Sequence, residues 1–185
     1  MSKQFRAIFL SIALLTSFLF TSNIYADNEN ARLYKISVLI FKHLPADKNT
    51  SARLTNRWTE KNFEKSINID SLPAIASALS GSNQTLSRDK TYTLIYNHAW
   101  IASLENETPT TFHFHKAFDN NDSILDGLIN ITLKYNLDVH FQTQLLAKNK
   151  IIALDETYQT PNNQLQYIDG PIYGALVLIT HDNGQ

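Results

Sequence analysis

The chain predicts an α+β fold, mostly antiparallel and curled β-sheet with one or two helices, preceded by a signal peptide. Three observations carry this expectation. Apolar and polar residues alternate with a period of two through most of the second half. Turn-forming residues interrupt those stretches at short intervals, and only one segment pairs helix start and stop signals with an apolar stripe.

The first segment is a leader. Lys3 and Arg6 precede an apolar run from Ala7 to Phe20, and Ile24-Tyr25-Ala26 offers a cleavage site before Asp27. A bilayer span needs about 20 apolar residues, and this run ends in Thr21-Ser22-Asn23 without a basic cluster behind it. Residues 1–26 therefore read as a secretory signal peptide and 27–185 as a single exported domain, soluble in the periplasm after cleavage near Ala26. Any membrane contact would come only from an uncleaved leader. The absence of cysteine rules out a lipid anchor on an acylated cysteine, disulfide staples and thiol chemistry.

Leu33 to Phe41 is β-branched and aromatic, apolar on both faces towards its end, which predicts a central strand covered on both sides. Residues 45–70 turn polar. Leu54, Trp58 and Asn62 fall at helical spacing within them, so this region reads as a loop or a weak helix. A helix is expected next, with Ser71 as N-cap, Pro73 in the first turn, Leu72, Ile75, Ala76 and Leu79 along one stripe, and Gly81 just past the end. A polar link from Ser80 to Lys90 leads into a strand on which Tyr92, Leu94, Tyr96, His98 and Trp100 should share one face.

Strands follow in succession. Phe112 and Phe114 oppose His113 and His115; Ile129, Ile131, Leu133 and Tyr135 form one stripe; Leu137, Val139, Phe141, Thr143 and Leu145 form another. Turns at Lys148-Asn149-Lys150 and Pro161-Asn162-Asn163 bracket a strand from Ile151 to Tyr158. Leu165 to Ile168 is short, Asp169-Gly170-Pro171 breaks the chain, and Ile172 to Thr180 closes the domain as a near-continuous apolar run.

Composition narrows the function. The net charge is −1, and the leader holds two basic residues and no acidic one, so the exported part is more acidic still. That balance gives no electrostatic reason to bind nucleic acid. Only five glycines occur and none forms a phosphate-cradling run before a helix. Neither Gly-x-Ser-x-Gly nor His-Glu-x-x-His is present, and carboxylates such as Glu105, Glu107, Asp119, Asp122, Asp126, Asp155 and Glu156 show no catalytic pattern. No enzymatic activity is therefore expected. His113-x-His115 places two imidazoles about 6.5–7 Å apart on one strand face, within reach of one metal. No spacing assigns a third ligand among His98, His140, Asp119 and Asp122, so the expectation is two solvent-facing histidines, with no metal and no cofactor.

Four blocks taken in order resemble the CsiV family of periplasmic peptidoglycan-binding proteins. They are Tyr34 to Phe41, the strand from Tyr92 to Trp100 ending in His-Ala-Trp, Gly127 to Leu145, and Leu165 to Ile179 with Tyr167-Ile168-Asp169-x-Pro171-Ile172-Tyr173-Gly174-x-Leu176-Val177-Leu178-Ile179. The chain departs from the family at Gly170, where histidine is usual, at Ile101-Ala102-Ser103, where Arg-Gln-Pro is usual, and at Thr157 to Thr160, where basic residues are usual. The resemblance implies a non-catalytic protein that binds peptidoglycan or supports its synthases. An interaction module touching only envelope proteins is the alternative, and a wall-active hydrolase is the third. His98 and Trp100 are the first candidates for glycan contact, the indole stacking and the imidazole hydrogen-bonding; their competing role is packing. Asp169 and Tyr173, at the proline-stiffened corner, are the second pair.

Overall fold

The computed structural model describes residues 31–43, 57–118, 123–147 and 150–182; the segment 1–26 read as a leader, the first part of 45–70 with Leu54, and Asp119 and Asp122 lie outside them. Among the described residues nine strands form two sheets. The first has the order β3-β1-β9-β8 and the second β2-β4-β5-β6-β7; neither closes on itself. β1 spans Ala31–His43, β2 Ile67–Asn68, β3 Tyr92–Glu105, β4 Pro109–Ala117 and β5 Ser123–Leu133. β6 spans Leu137–Ala147, β7 Lys150–Thr160, β8 Leu165–Ile168 and β9 Tyr173–His181. Every pairing between named strands is antiparallel except that of the two-residue β2 with β4. The α+β expectation holds, with one α-helix among the described residues.

The apolar run of β1 has a simple cause. Tyr34, Ile36, Val38 and Ile40 face the second sheet, while Leu39 and Phe41 point the other way, into a separate cluster with Leu79, Leu86, Tyr92 and Leu94. Both sides of the strand are covered, so both are apolar apart from Ser37, whose buried hydroxyl accepts from the Ala78 N–H. The second sheet turns one side to the core, and its outer side is covered only in part, by residues 57–66. Phe112, Phe114, Leu125, Ile129, Ile131, Val139, Phe141, Leu145, Ile152 and Leu154 enter the core shared by both sheets. Tyr173 links the two layers: its hydroxyl lies 2.8 Å from Thr143 Oγ1 and 3.2 and 3.1 Å from the carbonyls of Thr143 and Ile152.

The helix is not where the apolar stripe placed it. Residues 72–79 carry no helix, and α1 spans Ser80–Arg88, the stretch read as a polar link, so Gly81 lies inside the helix rather than past its end. Two hydrogen bonds hold residues 75–78 against the outer side of the first sheet instead, Ile75 N–H to the Ala99 carbonyl and Ala78 N–H to Ser37 Oγ. Leu72 packs against the inter-sheet core and Leu79 in the other cluster, so the stripe is divided between two environments. Ser71 does not cap an α-helix; it ends a 3-10 turn at Ile69–Ser71, its hydroxyl donating to the Asn68 carbonyl.

A second difference lies in β3. Ile40 pairs with Tyr96 but Phe41 pairs with Leu94, leaving Ile95 as an inserted residue, a β-bulge. The bulge breaks the expected common face. Tyr96 and Trp100 turn into the inter-sheet core, whereas Tyr92 and Leu94 join the cluster beneath α1. Tyr135 also leaves its expected stripe, because β5 ends at Leu133 and Tyr135 sits fully exposed in the turn to β6.

On the outer side of the second sheet, residues 57–66 lie across the strands. Trp58 N–H donates to Gln144 Oε1 at 3.0 Å, Ser66 Oγ lies 2.8 Å from His113 Nδ1, and the Phe63 ring is tilted against that imidazole. Burial lowers the His113 pKa below its ordinary 6.5, against the opposing pull of Asp70. The unfolded chain therefore takes up this proton first. Its contribution to stability is full above 6.5 and is lost as the pH falls from there towards the folded-state value. Melting temperatures measured between pH 8 and pH 5 should fall more for the parent than for His113→Gln. Parallel curves would show that this imidazole carries no linkage.

Candidate functional site

The strongest candidate is a cleft between α1 and the outer side of the first sheet, about 680 Å³ in volume and lined by Phe41, Ser82, Gln84, Thr85, Tyr92 and Tyr167, among others. Each wall follows from local sequence. β8 is an edge strand of four residues, and its alternation sends Ile168 into the core and leaves Leu165 and Tyr167 outside. The bulge at Ile95 directs Tyr92 to the same side, and β1 supplies Phe41 from the centre of the sheet. The polar wall is α1 itself, whose sequence SGSNQTLSR presents hydroxyls and an amide around the lone apolar Leu86.

The aromatic geometry is well defined. Phe41 and Tyr167 are nearly parallel, with ring centroids 6.2 Å apart and an interplanar angle of 7°. Tyr92 stands edge-on to Phe41 at 5.4 Å, and His43 contacts both. Tyr167 remains 55% exposed, so much of its surface is free to receive a ligand. Its hydroxyl donates to Asp169 Oδ1 at 2.9 Å. Partial burial and the neighbouring carboxylate push the phenol up to about 12, so it stays protonated and holds its donor role at neutral pH. His43 Nε2 is 3.5 Å from the same carboxylate oxygen, an ion-pair distance without hydrogen-bond geometry. Flat apolar surface beside carboxylate, imidazole, amide and hydroxyl groups is a combination suited to sugar rings, which present apolar faces and polar rims.

Two of the residues singled out from sequence belong elsewhere. Trp100 is fully buried, tilted against Phe112 at 5.5 Å, and cannot serve as an exposed stacking platform. His98 is half-buried beside it on the inter-sheet side, between Tyr96 and Trp100, away from the cleft face. The other pair is separated. Asp169 is exposed and stands beside Tyr167, whereas Tyr173 is wholly buried, its phenol pushed far up by desolvation and committed to Thr143 and Ile152. The corner thus presents the carboxylate without that phenol. A different phenol, Tyr167, takes its place.

His113 and His115 do share the outer side of β4, but each has its own partner, Ser66 for the first and Asp126, at 2.6 Å, for the second. His140 is paired with Asp155 at 2.8 Å on the same side. Among the described residues no group of three or more histidines and carboxylates could hold a metal ion. No helix among them is long and apolar enough to cross a membrane. Comparison with known proteins finds no matching family model and no curated protein of significant sequence similarity.

Proposed function

We propose that this chain is a non-catalytic periplasmic protein that binds peptidoglycan, supporting the synthases that build it, and that its glycan lies in the cleft under α1. The observation that carries the reading is Tyr167, an exposed ring backed by Phe41 and flanked by Asp169 and the hydroxyls and amide of α1. The leader and the four blocks similar to the CsiV family supply the compartment and the class of ligand. Co-sedimentation of the exported domain with purified sacculi tests it. Tyr167→Ala should reduce retention about thirtyfold, the loss of one aromatic anchor being worth about 2 kcal/mol at a binding hot spot. Because the ring is exposed, its melting temperature should stay near the parent's. Equal retention of the variant would remove the cleft from the mechanism, and release of soluble muropeptides would overturn the non-catalytic part.

A protein-only role has one observation in its favour. β8 ends the first sheet with Leu165 and Tyr167 exposed along it, which suits addition of a partner's strand. Capture of synthases by a parent chain that fails to sediment with sacculi would favour that role.

A further inference from the structure

At the far end of β1 from the cleft, two turns and the start of β1 border a second, open cavity, about 450 Å³, lined by Arg32, Asn106, Glu107, Leu133, Lys134 and Tyr135. Arg32 and Phe41, the β1 residue that lines the cleft, are nine residues apart on one strand, so the two sites are separated by roughly 30 Å at about 3.3 Å per residue. The cavity owes its shape to backbone locks. Glu107 adopts φ 60, a left-handed conformation uncommon for glutamate, and its N–H donates to the Leu133 carbonyl at 2.7 Å. Asn106 bridges to Leu133 as well, which fixes the β3–β4 turn against the β5–β6 turn. Backbone strain maintained at a non-glycine residue beside a cavity is a feature of functional sites.

The side chains specify a ligand. Tyr135 is 101% exposed, with no packing role to explain a ring at that position. Lys134 is already engaged: Asp138 hydrogen-bonds it and, with a smaller pull from Glu107, raises its pKa. Arg32 is exposed and has no ion-pair partner among the described residues, so its planar fork is the cation left to meet an anion. Glu107 and Asn106 offer acceptors, and the Asn106 amide a donor, for hydroxyl groups. We infer that this end of the molecule is a second saccharide site, selective for a pyranose that carries a carboxylate: the ring lies on Tyr135, its hydroxyls meet Glu107 and Asn106, and its carboxylate meets Arg32. The site shares no residue with the cleft under α1, and its assignment does not depend on the function proposed for that cleft.

Amide-shift titration of the exported domain with D-glucuronate, with D-glucose and acetate run in parallel, tests it. Glucuronate should move the resonances of Arg32, Asn106, Glu107 and Tyr135 in a saturable way, while glucose binds at least about tenfold more weakly for want of the charge-assisted pair. Arg32→Gln should abolish most of the difference between the two sugars, Arg32→Lys should retain part of it, and Tyr167→Ala should leave it intact. Silence at those four residues would overturn the proposal. So would acetate binding as well as glucuronate, which would mean an adventitious ion only, or an Arg32→Gln chain that still prefers the acid sugar.

Discussion

Trp100→Ala is expected to cost about 3–5 kcal/mol, a large part of the roughly 5–15 kcal/mol that holds a domain of this size together. The indole is fully buried between the sheets, against Phe112 on the facing strand and beside His98 on its own. Removing it leaves a cavity that two hydrogen-bonded sheets cannot collapse to fill. Its Nε1 has no hydrogen-bond partner in the structure, so the loss is one of packing rather than of a polar contact. Trp100→Phe should accordingly recover much of the deficit. Urea denaturation with an unchanged slope measures both variants, and a cost for alanine below about 1 kcal/mol would mean that this strand face is not core.

The second large effect is expected at Gly127, in the middle of β5. A methyl group there would lie 2.0 Å from Cζ and 2.1 Å from Cε1 of Phe114, directly across the strand pair. The phenyl ring has nowhere to go. It is fully buried and stacked on Tyr96, with centroids 4.3 Å apart and planes at 17°. Overpacking of this kind costs about 1–3 kcal/mol and sometimes more, and the immobility of the ring places Gly127→Ala at or above the upper end. Phe114→Leu introduced with it should be less damaging than the two single effects added together, because the smaller side chain makes room for the methyl. Strict additivity in thermal or urea unfolding would show that the two positions do not interact.

Strand positions were legible where one side of a strand is covered and the other is not. Leu165 to Ile168 has the bounds expected of it, and Leu137 to Leu145 alternates as its burial does except at Gln144, which is buried where Trp58 N–H meets it. The helix was not legible, for a physical reason. Residues 80–88 fully bury no side chain and pack only Leu86 in part, and the residues that looked like a helical stripe, Leu72, Ile75 and Leu79, belong to a segment tied by its backbone to Ser37 and Ala99. Helical spacing and an extended crossing of a sheet can place the same apolar residues inside. The cleft was hidden for a related reason. Period-two reasoning carried one face unbroken from Tyr92 to Trp100, and a bulge has no sequence signature in an apolar run such as Leu94-Ile95-Tyr96. In β8 both alternating sets contain an apolar residue, Leu165 or Ile168, so nothing in the pattern says that Tyr167 faces out.

The inserted Ile95 makes β3 a crankshaft. Below it the strand carries the floor of the cleft, above it the ballast of the core, and the half-turn between them is stored in one residue. A deletion at this point would not shorten a loop; it would set Leu94 directly beside Tyr96 in a regular ladder, leave Tyr92 and Leu94 facing the cleft, and take from the core the side chain that Ile95 adds to it. Because the two halves are one continuous hydrogen-bonded ribbon along β1, the floor cannot loosen without dragging on the core.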